Sequence, residues 1–422
     1  MTDRPIIVML TETYPYPGPD DPFLESEVAA LAEHATVLLV PTVEAGDVRS
    51  CVPGSPLVDT SLAESLQRMS RVPQVGGLLS RGGFREIGRH GGRALRPRAL
   101  ATVARRQSRA RVAEAWTRSH LLPNLQGRRA VVYSWWGTAA AAGVGRALAG
   151  SRVPYVCRMH GYDLYAEQER VGFVPLQASI LQTATEVWTA ARAGADYLHN
   201  RYPEARAPIV VRPVGSEDAG LAHGQHQAPS KQVVSCSAVH LVKRVDLLAR
   251  ALSDLALRHP DLDFHWTHIG GGTLLGDVQS LTRGLQGLPG RATFLGELSH
   301  DDVLRWLSGH QVDAFCNVSS SEGLPVTLME AASAGIPLLA LNVGGNAEIV
   351  NETNGRLLPA DAGPSQISAA LAELLTAPRD EIDAMRLASR TRWEERFDAR
   401  QNHSEVARRL TELATTPMGP TP

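Results

Sequence analysis

The hydrophobic and polar positions of the chain form a repeated pattern of short apolar runs followed by segments with helical spacing. Short, nearly continuous apolar runs are typical of strands buried on both faces of a parallel sheet, with helices covering those faces. The predicted strands are 6–10, 36–40, 130–134, 155–158, 186–189, 209–212, 232–238, 264–269, 314–318, 338–341 and 355–358. The pattern therefore predicts an α/β protein with doubly wound sheets, which bind ligands at the carboxyl ends of their strands.

The length of the chain and the order of these runs predict two domains. A chain of 422 residues is long enough for two, and Pro213-Val214-Gly215 marks the expected crossing point. We assign residues 1–212 to an N-terminal domain and residues 213–392 to a C-terminal domain. Residues 393–414 have a helical pattern, and the tail at 415–422 is expected to be disordered.

The stretch from 313 to 350 contains the strongest candidate for a ligand site. A predicted strand ends in three serines, and Glu322-Gly323-Leu324 forms the turn that follows. Pro325 suits the first position of a helix, where its missing N–H costs nothing. Free N–H groups near Gly323 and Leu324, together with the helix dipole, favour binding of a phosphate.

Two glutamates flank this predicted phosphate site. Glu322 lies in the turn, and Glu330 lies about 7.5 Å along the helix axis from Pro325 at a rise of about 1.5 Å per residue. One carboxylate on each side of a diphosphate suits a nucleotide sugar, with Glu322 on the sugar and Glu330 on the ribose. The alternative is that Glu322 is an ordinary turn residue and Glu330 a solvated helix position.

The surrounding residues favour the first interpretation. Ser-Ser-Ser-Glu-Gly-Leu-Pro, Met-Glu-Ala, Gly-Ile-Pro and Val-Gly-Gly occur in order over 319–345. This string closely resembles the donor-binding signature of the retaining glycosyltransferases of family 4, which have the GT-B fold. The resemblance implies two doubly wound, Rossmann-like domains with an interdomain cleft, the donor mainly in the C-terminal one, and a helix at 393–414 that crosses back to the N-terminal domain. It extends over nearly all of 209–412 and is patchier over the first 208 residues.

The resemblance also implies further donor-binding residues. Lys243 matches the family's diphosphate-binding lysine, with Arg244 beside it, but the arginine expected five residues earlier is Ala238. Backbone groups near Leu298 match the turn that binds the base. Gly18, in a proline-rich loop after the first strand, matches a glycine that reaches toward the donor sugar; the alternative is a plain surface turn.

A histidine in the N-terminal half completes the implied site. The fragment Arg-x-His-Gly-x-Asp-Leu-Tyr places His160 at the carboxyl end of a predicted strand, where it resembles the family's cleft histidine near the donor sugar. We expect Asp163 to orient a ring nitrogen of His160. The alternative is a histidine that caps a loop through hydrogen bonds.

The resemblance implies retaining transfer of a hexosyl or N-acetylhexosaminyl group from a nucleotide diphosphate sugar, with UDP as the expected nucleotide, to an acceptor hydroxyl. His160, Glu322 and Lys243 are the expected catalytic residues, and neither a cofactor nor a metal ion is expected. Polysaccharide, glycolipid and natural-product glycoside synthesis all stay open, as do the acceptor and the oligomeric state. The rival functions are a nucleotide-sugar epimerase of the same fold and a non-catalytic protein that binds sugar nucleotides.

Composition limits the partners and the cellular location that we expect for the protein. The net charge of −2 gives no reason to expect a nucleic-acid partner. The four cysteines are scattered, and no apolar run approaches the roughly 18 residues of a membrane span. Because the N-terminus leads straight into a strand, we expect no signal peptide and a cytoplasmic protein.

One segment departs from this average composition. Residues 68–111 contain twelve arginines and a single acidic residue, Glu86, with apolar residues interleaved. The segment is expected to make peripheral contact with an anionic membrane at its inner face, or to line a groove for a phosphate-bearing acceptor, or to form a solvated helical hairpin.

Overall fold

The computed structural model describes residues 4–17, 21–44, 46, 52–70, 74–222 and 230–416. Gly18 and the part of the predicted tail beyond Thr416 lie outside these residues. The chain divides into two compact units, Met1–Val214 with Arg400–Pro422, and Gly215–Ala399. We refer to them as unit 1 and unit 2.

Unit 1 is built on a parallel sheet. In the described residues its seven strands have the order β3-β2-β1-β4-β5-β6-β7. The strands are β1 (Ile6–Thr11), β2 (Thr36–Pro41), β3 (Leu57–Val58), β4 (Ala130–Ser134), β5 (Tyr155–Met159), β6 (Glu186–Thr189) and β7 (Ile209–Val211). The chain direction along the sheet reverses between β1 and β4, so the loops that follow these two strands diverge at a topological switch point.

The helices of unit 1 connect these strands, and most of them lie between β3 and β4 or in the returning tail. They are α1 (Asp21–His34), α2 (Ser61–Ser70), α3 (Arg81–His90), α4 (Pro97–Trp116), α5 (Leu122–Leu125), α6 (Ala139–Leu148), α7 (Gln177–Thr183), α8 (Arg192–Arg201) and α16 (Ala399–Thr415). The arginine-rich segment thus forms two helices, α3 and α4, joined by a short 3-10 turn at Gly91–Arg93.

Unit 2 has a six-stranded parallel sheet of order β10-β9-β8-β11-β12-β13 in its described residues. Its strands are β8 (Lys231–Cys236), β9 (Phe264–Ile269), β10 (Ala292–Gly296), β11 (Ala314–Asn317), β12 (Leu338–Leu341) and β13 (Gly355–Leu358). Its helices are α9 (Val245–Arg258), α10 (Leu275–Gly284), α11 (His300–Gly309), α12 (Val326–Ser333), α13 (Asn346–Ile349), α14 (Pro364–Thr376) and α15 (Arg379–Arg396). Here the switch point lies between β8 and β11.

Alternate residues of the central strands of unit 2 enter two different apolar clusters. Ala314 and Cys316 of β11 belong to the cluster formed with α9 and α14, whereas Phe315 belongs to the cluster formed with α12 and α15. Because successive side chains of a strand point to opposite faces, both faces of the sheet are covered by helices. This is the doubly wound arrangement that the sequence predicts.

The helical pattern at 393–414 is divided between two helices. Trp393 lies in α15, is buried with Phe397 in a cluster of unit 2, and donates its indole N–H to Ser216 Oγ at 2.9 Å. Helix α16 then belongs to unit 1, where Arg409 Nε donates to Glu186 Oε1 at 3.0 Å. The returning helix therefore begins at Ala399, six residues later than predicted from the sequence.

Candidate active site

Two loops meet at the switch point of unit 2. The loop after β8 holds Lys243 at the end of a 3-10 turn, and the loop after β11 holds Glu322. Lys243 Nζ lies 2.7 and 2.9 Å from the two carboxylate oxygens of Glu322. The backbone N–H of Ser320 donates to Val242 O at 2.8 Å. Two residues 79 positions apart in the sequence are thereby held in one polar site.

Glu322 is held from several sides. Its carboxylate is buried and accepts a further hydrogen bond from Asn317 Nδ2 at 3.1 Å. Lys243 remains partly accessible, with 29% of its side chain exposed. A buried carboxylate with two donors is oriented in advance, and the accessible lysine supplies a positive charge at the site entrance.

The loop after β12 packs directly on this turn. Gly344 has φ +53°, and a Cβ built on it would lie 1.8 Å from Glu322 O. The backbone N–H of Gly345 donates to Gly323 O at 2.7 Å. Because only a residue without Cβ fits, Gly344 keeps the loop after β12 in contact with the turn that contains Glu322.

The helix that follows this turn begins one residue later than predicted. Pro325 has an extended backbone (φ −72°, ψ 116°) and precedes α12, whose first residue is Val326. The N–H groups without an intrahelical acceptor therefore belong to Val326 and its successor as well as to the turn at Gly323 and Leu324. The positively polarised start of the helix therefore lies near Glu322, as predicted, but one residue later in the chain.

Glu330 is buried inside unit 2 and has a neighbour that the sequence did not indicate. His300 Nδ1, in the first turn of α11, lies 3.3 Å from Glu330 Oε1. Burial, followed by the nearby charge of Glu217, raises the pKa of Glu330 to about 7. Leu298 lies two residues before His300, so the position predicted to bind the base and the one predicted to bind the ribose lie in adjoining segments. The serine before α11 predicts a helix start, but no local pattern pairs His300 with Glu330.

The resemblance implies two further positions for binding the diphosphate, at residues 244 and 238. Arg244 has a left-handed backbone (φ 50°) at the start of α9, and its side chain has no hydrogen bond or ion pair within the described residues. Ala238, at the position of the family's arginine, is exposed. Lys243 is thus the cation that the structure places against Glu322.

His160 lies in unit 1 at the carboxyl end of β5. Its Nε2 is 3.0 Å from the carbonyl oxygen of Trp135, and its ring contacts the rings of Trp135 and Trp136. Burial, followed by the charge of Arg158, lowers the pKa of His160 to about 3. The imidazole is therefore neutral near pH 7; with Nε2–H donating to the carbonyl, Nδ1 is an acceptor.

The predicted role of Asp163 is wrong. Its carboxylate accepts the backbone N–H groups of Gly137, His160 and Gly161 at 2.7, 2.8 and 3.1 Å, and the imidazole is held by Trp135 O instead. Burial raises the pKa of Asp163 to about 6. Asp163 joins the loops after β4 and β5 through their backbones and positions His160 only through the chain.

An aromatic surface adjoins His160. Trp136 stacks on Tyr162 with 4.8 Å between ring centroids, and Tyr162 Oη donates to Glu12 Oε2 at 2.9 Å. These residues come from the loops after β1, β4 and β5, which the sequence separates widely. The motif at 158–165 drew attention to His160 but gave no role to Tyr162.

No group of three or more histidine, cysteine, aspartate or glutamate residues in the described part of the chain is arranged to hold a metal ion. Asp261-Leu262-Asp263 has the Asp-x-Asp form that can bind a metal ion, but both aspartates are exposed and precede β9 rather than follow it.

Comparison with solved structures identifies the architecture. The lipopolysaccharide outer core galactosyltransferase WaaB superposes with a TM-score of 0.67 over 95% of this chain and 98% of its own, at 14% identity. HepE of Anabaena, solved in complex with UDP, gives 0.64 over 97% and 100%, also at 14% identity. The fold is GT-B. At such low identity the similarity establishes the GT-B fold and leaves the activity to other observations.

The match to a family model falls within unit 2. Residues 230–377 match the family described as glycosyl transferases group 1. The GtfA subunit of a UDP-N-acetylglucosamine–peptide N-acetylglucosaminyltransferase from Streptococcus agalactiae is 28% identical over 48% of this chain, and the match spans only 38% of that relative. A GDP-mannose-dependent α-(1-6)-phosphatidylinositol monomannoside mannosyltransferase of Mycobacterium tuberculosis is 26% identical over 61% of this chain and 69% of its own length. Together with the GT-B fold, these matches support a glycosyltransferase.

Proposed function

We propose that the protein is a retaining glycosyltransferase that moves a hexosyl or N-acetylhexosaminyl group from a nucleotide diphosphate sugar to an acceptor hydroxyl. The observation that carries the proposal is the Lys243–Glu322 pair at the switch point, beside the start of α12. Both residues fall inside the segment that matches the family. Retention of anomeric configuration rests on the resemblance to family 4.

The described site residues suggest an order for the donor along unit 2. Backbone groups near Leu298 would bind the base, and Glu330 the ribose. Glu330 is four positions into α12, about 6 Å from its start at about 1.5 Å per residue. The diphosphate would then lie at the start of α12 against Lys243, with Arg244 nearby, and Glu322 would accept hydroxyl groups of the sugar.

This placement gives each group a role in the transfer. When the bond between the anomeric carbon and the diphosphate breaks, negative charge grows on the leaving group. Lys243 and the N–H groups at the start of α12 would stabilise it, because preorganised charges need no rearrangement as the reaction proceeds. For His160 of unit 1, the resemblance to family 4 implies a contact with a sugar hydroxyl, and the neutral imidazole would make that contact without adding a positive charge.

UDP is the first nucleotide to test. HepE was solved with UDP, and the streptococcal GtfA subunit carries UDP-N-acetylglucosamine in its name. The mycobacterial relative is named for GDP-mannose, which makes GDP the necessary comparison. The sugar that binds would then direct the search for an acceptor among polysaccharides, glycolipids and natural-product glycosides.

Calorimetric titration with UDP, GDP, UDP-glucose, UDP-N-acetylglucosamine and GDP-mannose tests the proposal. We expect one nucleotide class to bind and Glu330→Ala to weaken it about tenfold or more, since a ribose contact is lost. Binding of none of the five would contradict the assigned donor site. Incubation of the bound sugar nucleotide without an acceptor then separates transfer from epimerisation, which would convert the donor on its own.

Donor binding should also depend on pH through Glu330. Its pKa of about 7 in the free protein means that the carboxyl is half protonated at neutral pH. Ribose hydroxyls donate to the carboxylate and favour its charged form, so binding should lower this pKa and release a proton. The affinity should therefore rise about tenfold between pH 6 and pH 8.

A sugar nucleotide suits this measurement because its diphosphate does not titrate in that range. Glu330→Gln should bind with little change across the same pH values. His300→Gln, which removes the neighbouring imidazole but keeps the carboxyl, should retain a pH dependence. A pH profile of Glu330→Gln as steep as that of the wild type would assign the effect to another group.

A further inference from the structure

Helix α3 of unit 1 exposes one continuous face. Arg81, Phe84, Arg85 and Gly88 are exposed and follow the spacing i, i+3, i+4, i+7, which places them along one side of the helix. The ring of Phe84 is among the most exposed large apolar groups of the described chain, at 61% of its full accessibility. The helix thus presents an aromatic ring to solvent beside two exposed arginines, Arg81 and Arg85.

The opposite face holds α3 firmly against unit 1. A Cβ on Gly83 would lie 2.5 Å from Gly77 O, so the helix backbone approaches its neighbour as closely as glycine permits. His90 stacks on Phe173 with 3.9 Å between ring centroids, and Ile87 packs on the same cluster. The exposure of Phe84 is therefore fixed by the anchoring of the helix.

Two further apolar side chains flank this face. Leu79 precedes α3 and is 72% exposed, and Leu95 follows it and is 59% exposed. Arginines lie between these three apolar side chains in the sequence, so the three do not form one contiguous apolar patch. Such a pattern suits insertion among lipid headgroups, whereas the core of a protein–protein interface is depleted of charge and contiguous.

The charge of the same surface is positive and largely uncompensated. Arg81 and Arg85 make no ion pair or hydrogen bond within the described residues. The one acidic residue of the segment, Glu86, is buried, where it accepts the N–H of Leu176 at 3.0 Å and lies 3.6 Å from His90. Glu86 also lines the neighbouring groove, where its charge acts on Arg146, so the uncompensated positive charge of this surface lies with Arg81 and Arg85.

A groove beside Leu79 adds to this charge. It has a volume of about 660 Å³, and its arginine lining comes from three helices. Those arginines are Arg81, Arg85, Arg89, Arg111 and Arg146. Glu114, on the same groove, is paired with Arg118 at 3.0 Å, and Arg89 with Glu204 at 2.6 Å. Arg111 donates to Gly76 O, and Arg146 donates to Ser179 Oγ and Gln107 Oε1. Within the described residues, Arg81 and Arg85 are therefore the groove arginines whose guanidinium groups are left for phosphate-bearing headgroups.

We propose that residues 79–98, the docking face, bind the surface of an anionic lipid bilayer. Leu79, Phe84 and Leu95 would enter the boundary between headgroups and acyl chains. The arginines of the docking face that have no ion pair within the described ranges, which also include Arg93, Arg96 and Arg98, would meet lipid phosphates. The docking face belongs to unit 1 and shares no residue with the donor site of unit 2, so its binding can be measured without nucleotide.

Sedimentation of the full chain with lipid vesicles tests the proposal. Vesicles of phosphatidylcholine mixed with phosphatidylglycerol should carry the protein down, and vesicles of phosphatidylcholine alone should not. High salt should weaken the binding, because screening shortens the reach of the arginine charges. Arg81→Gln/Arg85→Gln should reduce the partition coefficient about twenty-fivefold, at about fivefold for each basic residue. Leu79→Ser/Phe84→Ser/Leu95→Ser should reduce it at least about tenfold.

Matched substitutions elsewhere give the control. Leu387 of α15 is 69% exposed, and Arg250 of α9 is also exposed, so Leu387→Ser and Arg250→Gln should bind vesicles as the wild type does. Hydrogen exchange of the wild type supplies a readout that needs no variant: anionic vesicles should protect amides of 79–95 and leave those of 379–396 unchanged. Three results would overturn the proposal. The protein could bind neutral and anionic vesicles equally, the vesicles could protect only amides outside 79–95, or the docking-face variants could bind as well as the control variants. The proposal would also be overturned if the chain bound no vesicles but bound another protein through the docking face, which would then be assigned to a protein partner.

Discussion

Replacing Lys243 with glutamine should lower kcat/KM for the sugar nucleotide by about a hundredfold or more. Lys243 is the cation held against Glu322, and the position of the family's second diphosphate-binding cation is Ala238. In this variant, the start of α12 and the neighbouring Arg244 would be the groups left to stabilise the charge that grows on the leaving diphosphate. Steady-state kinetics with the donor selected by calorimetry measure the loss.

The chain provides a closely matched control, since it contains only one other lysine. Lys231 lies at the start of β8, at the opposite end of the strand from the site, and its Nζ is 3.7 Å from Asp313. Lys231→Gln should leave kcat/KM nearly unchanged. If the two variants lose activity to the same small extent, Lys243 does not act on the diphosphate, and the role assigned to the Lys243–Glu322 pair is wrong.

The second large effect concerns stability and arises in unit 1. Arg158 and Glu27 are fully buried, with 2.8 Å between Nη1 and Oε2, and the guanidinium lies 4.9 Å from the centroid of the Trp135 ring. Arg158→Ala leaves the Glu27 carboxylate buried without its arginine partner, with His403 Nε2 3.8 Å away. We expect the free energy of unfolding of unit 1 to fall by about 3–5 kcal/mol.

Native-state hydrogen exchange of the β5 amides measures this change within unit 1, which avoids treating the two units as one cooperative transition. Arg118→Ala is the surface control, because its pair with Glu114 leaves the arginine 59% exposed and should contribute at most about 1 kcal/mol. Glu27→Gln/Arg158→Met, which removes both charges, should be less destabilising than Arg158→Ala. A single variant no worse than Arg118→Ala would mean that the buried pair contributes little.

The strands were predictable because each is a short apolar run with a sharp end. The strand at 338–341 has the predicted bounds, and that at 314–318 is one residue shorter. The GT-B fold is the one that the resemblance to family 4 implies. The arginine-rich segment could not be assigned in this way, since its exposed helix faces carry charged and apolar residues together and no simple period separates them.

The site was predictable only where residues lie close in sequence. The turn at Glu322 and the helix carrying Glu330 follow from local pattern, whereas the Lys243–Glu322 contact and the His300–Glu330 contact depend on which strands become neighbours. Asp163 is the opposite case, because it lies close to His160 in the sequence and yet does not contact its imidazole. Its spacing from His160 suited a contact with the imidazole, but three backbone N–H groups outcompeted the ring for its carboxylate.

The two ends of unit 2 are joined by a pair of backbone hydrogen bonds. Ser216 donates its backbone N–H to Phe397 O at 2.9 Å, and Ala399 donates its own to Ser216 O at 3.0 Å. The continuous segment from 215 to 399 therefore begins and ends at neighbouring points, as in a domain inserted into a host. Such a segment can be exchanged as one cassette, with its two junctions already aligned by hydrogen bonds. If the proposed donor site is right, donor preference could then be transplanted between GT-B proteins by moving unit 2 alone.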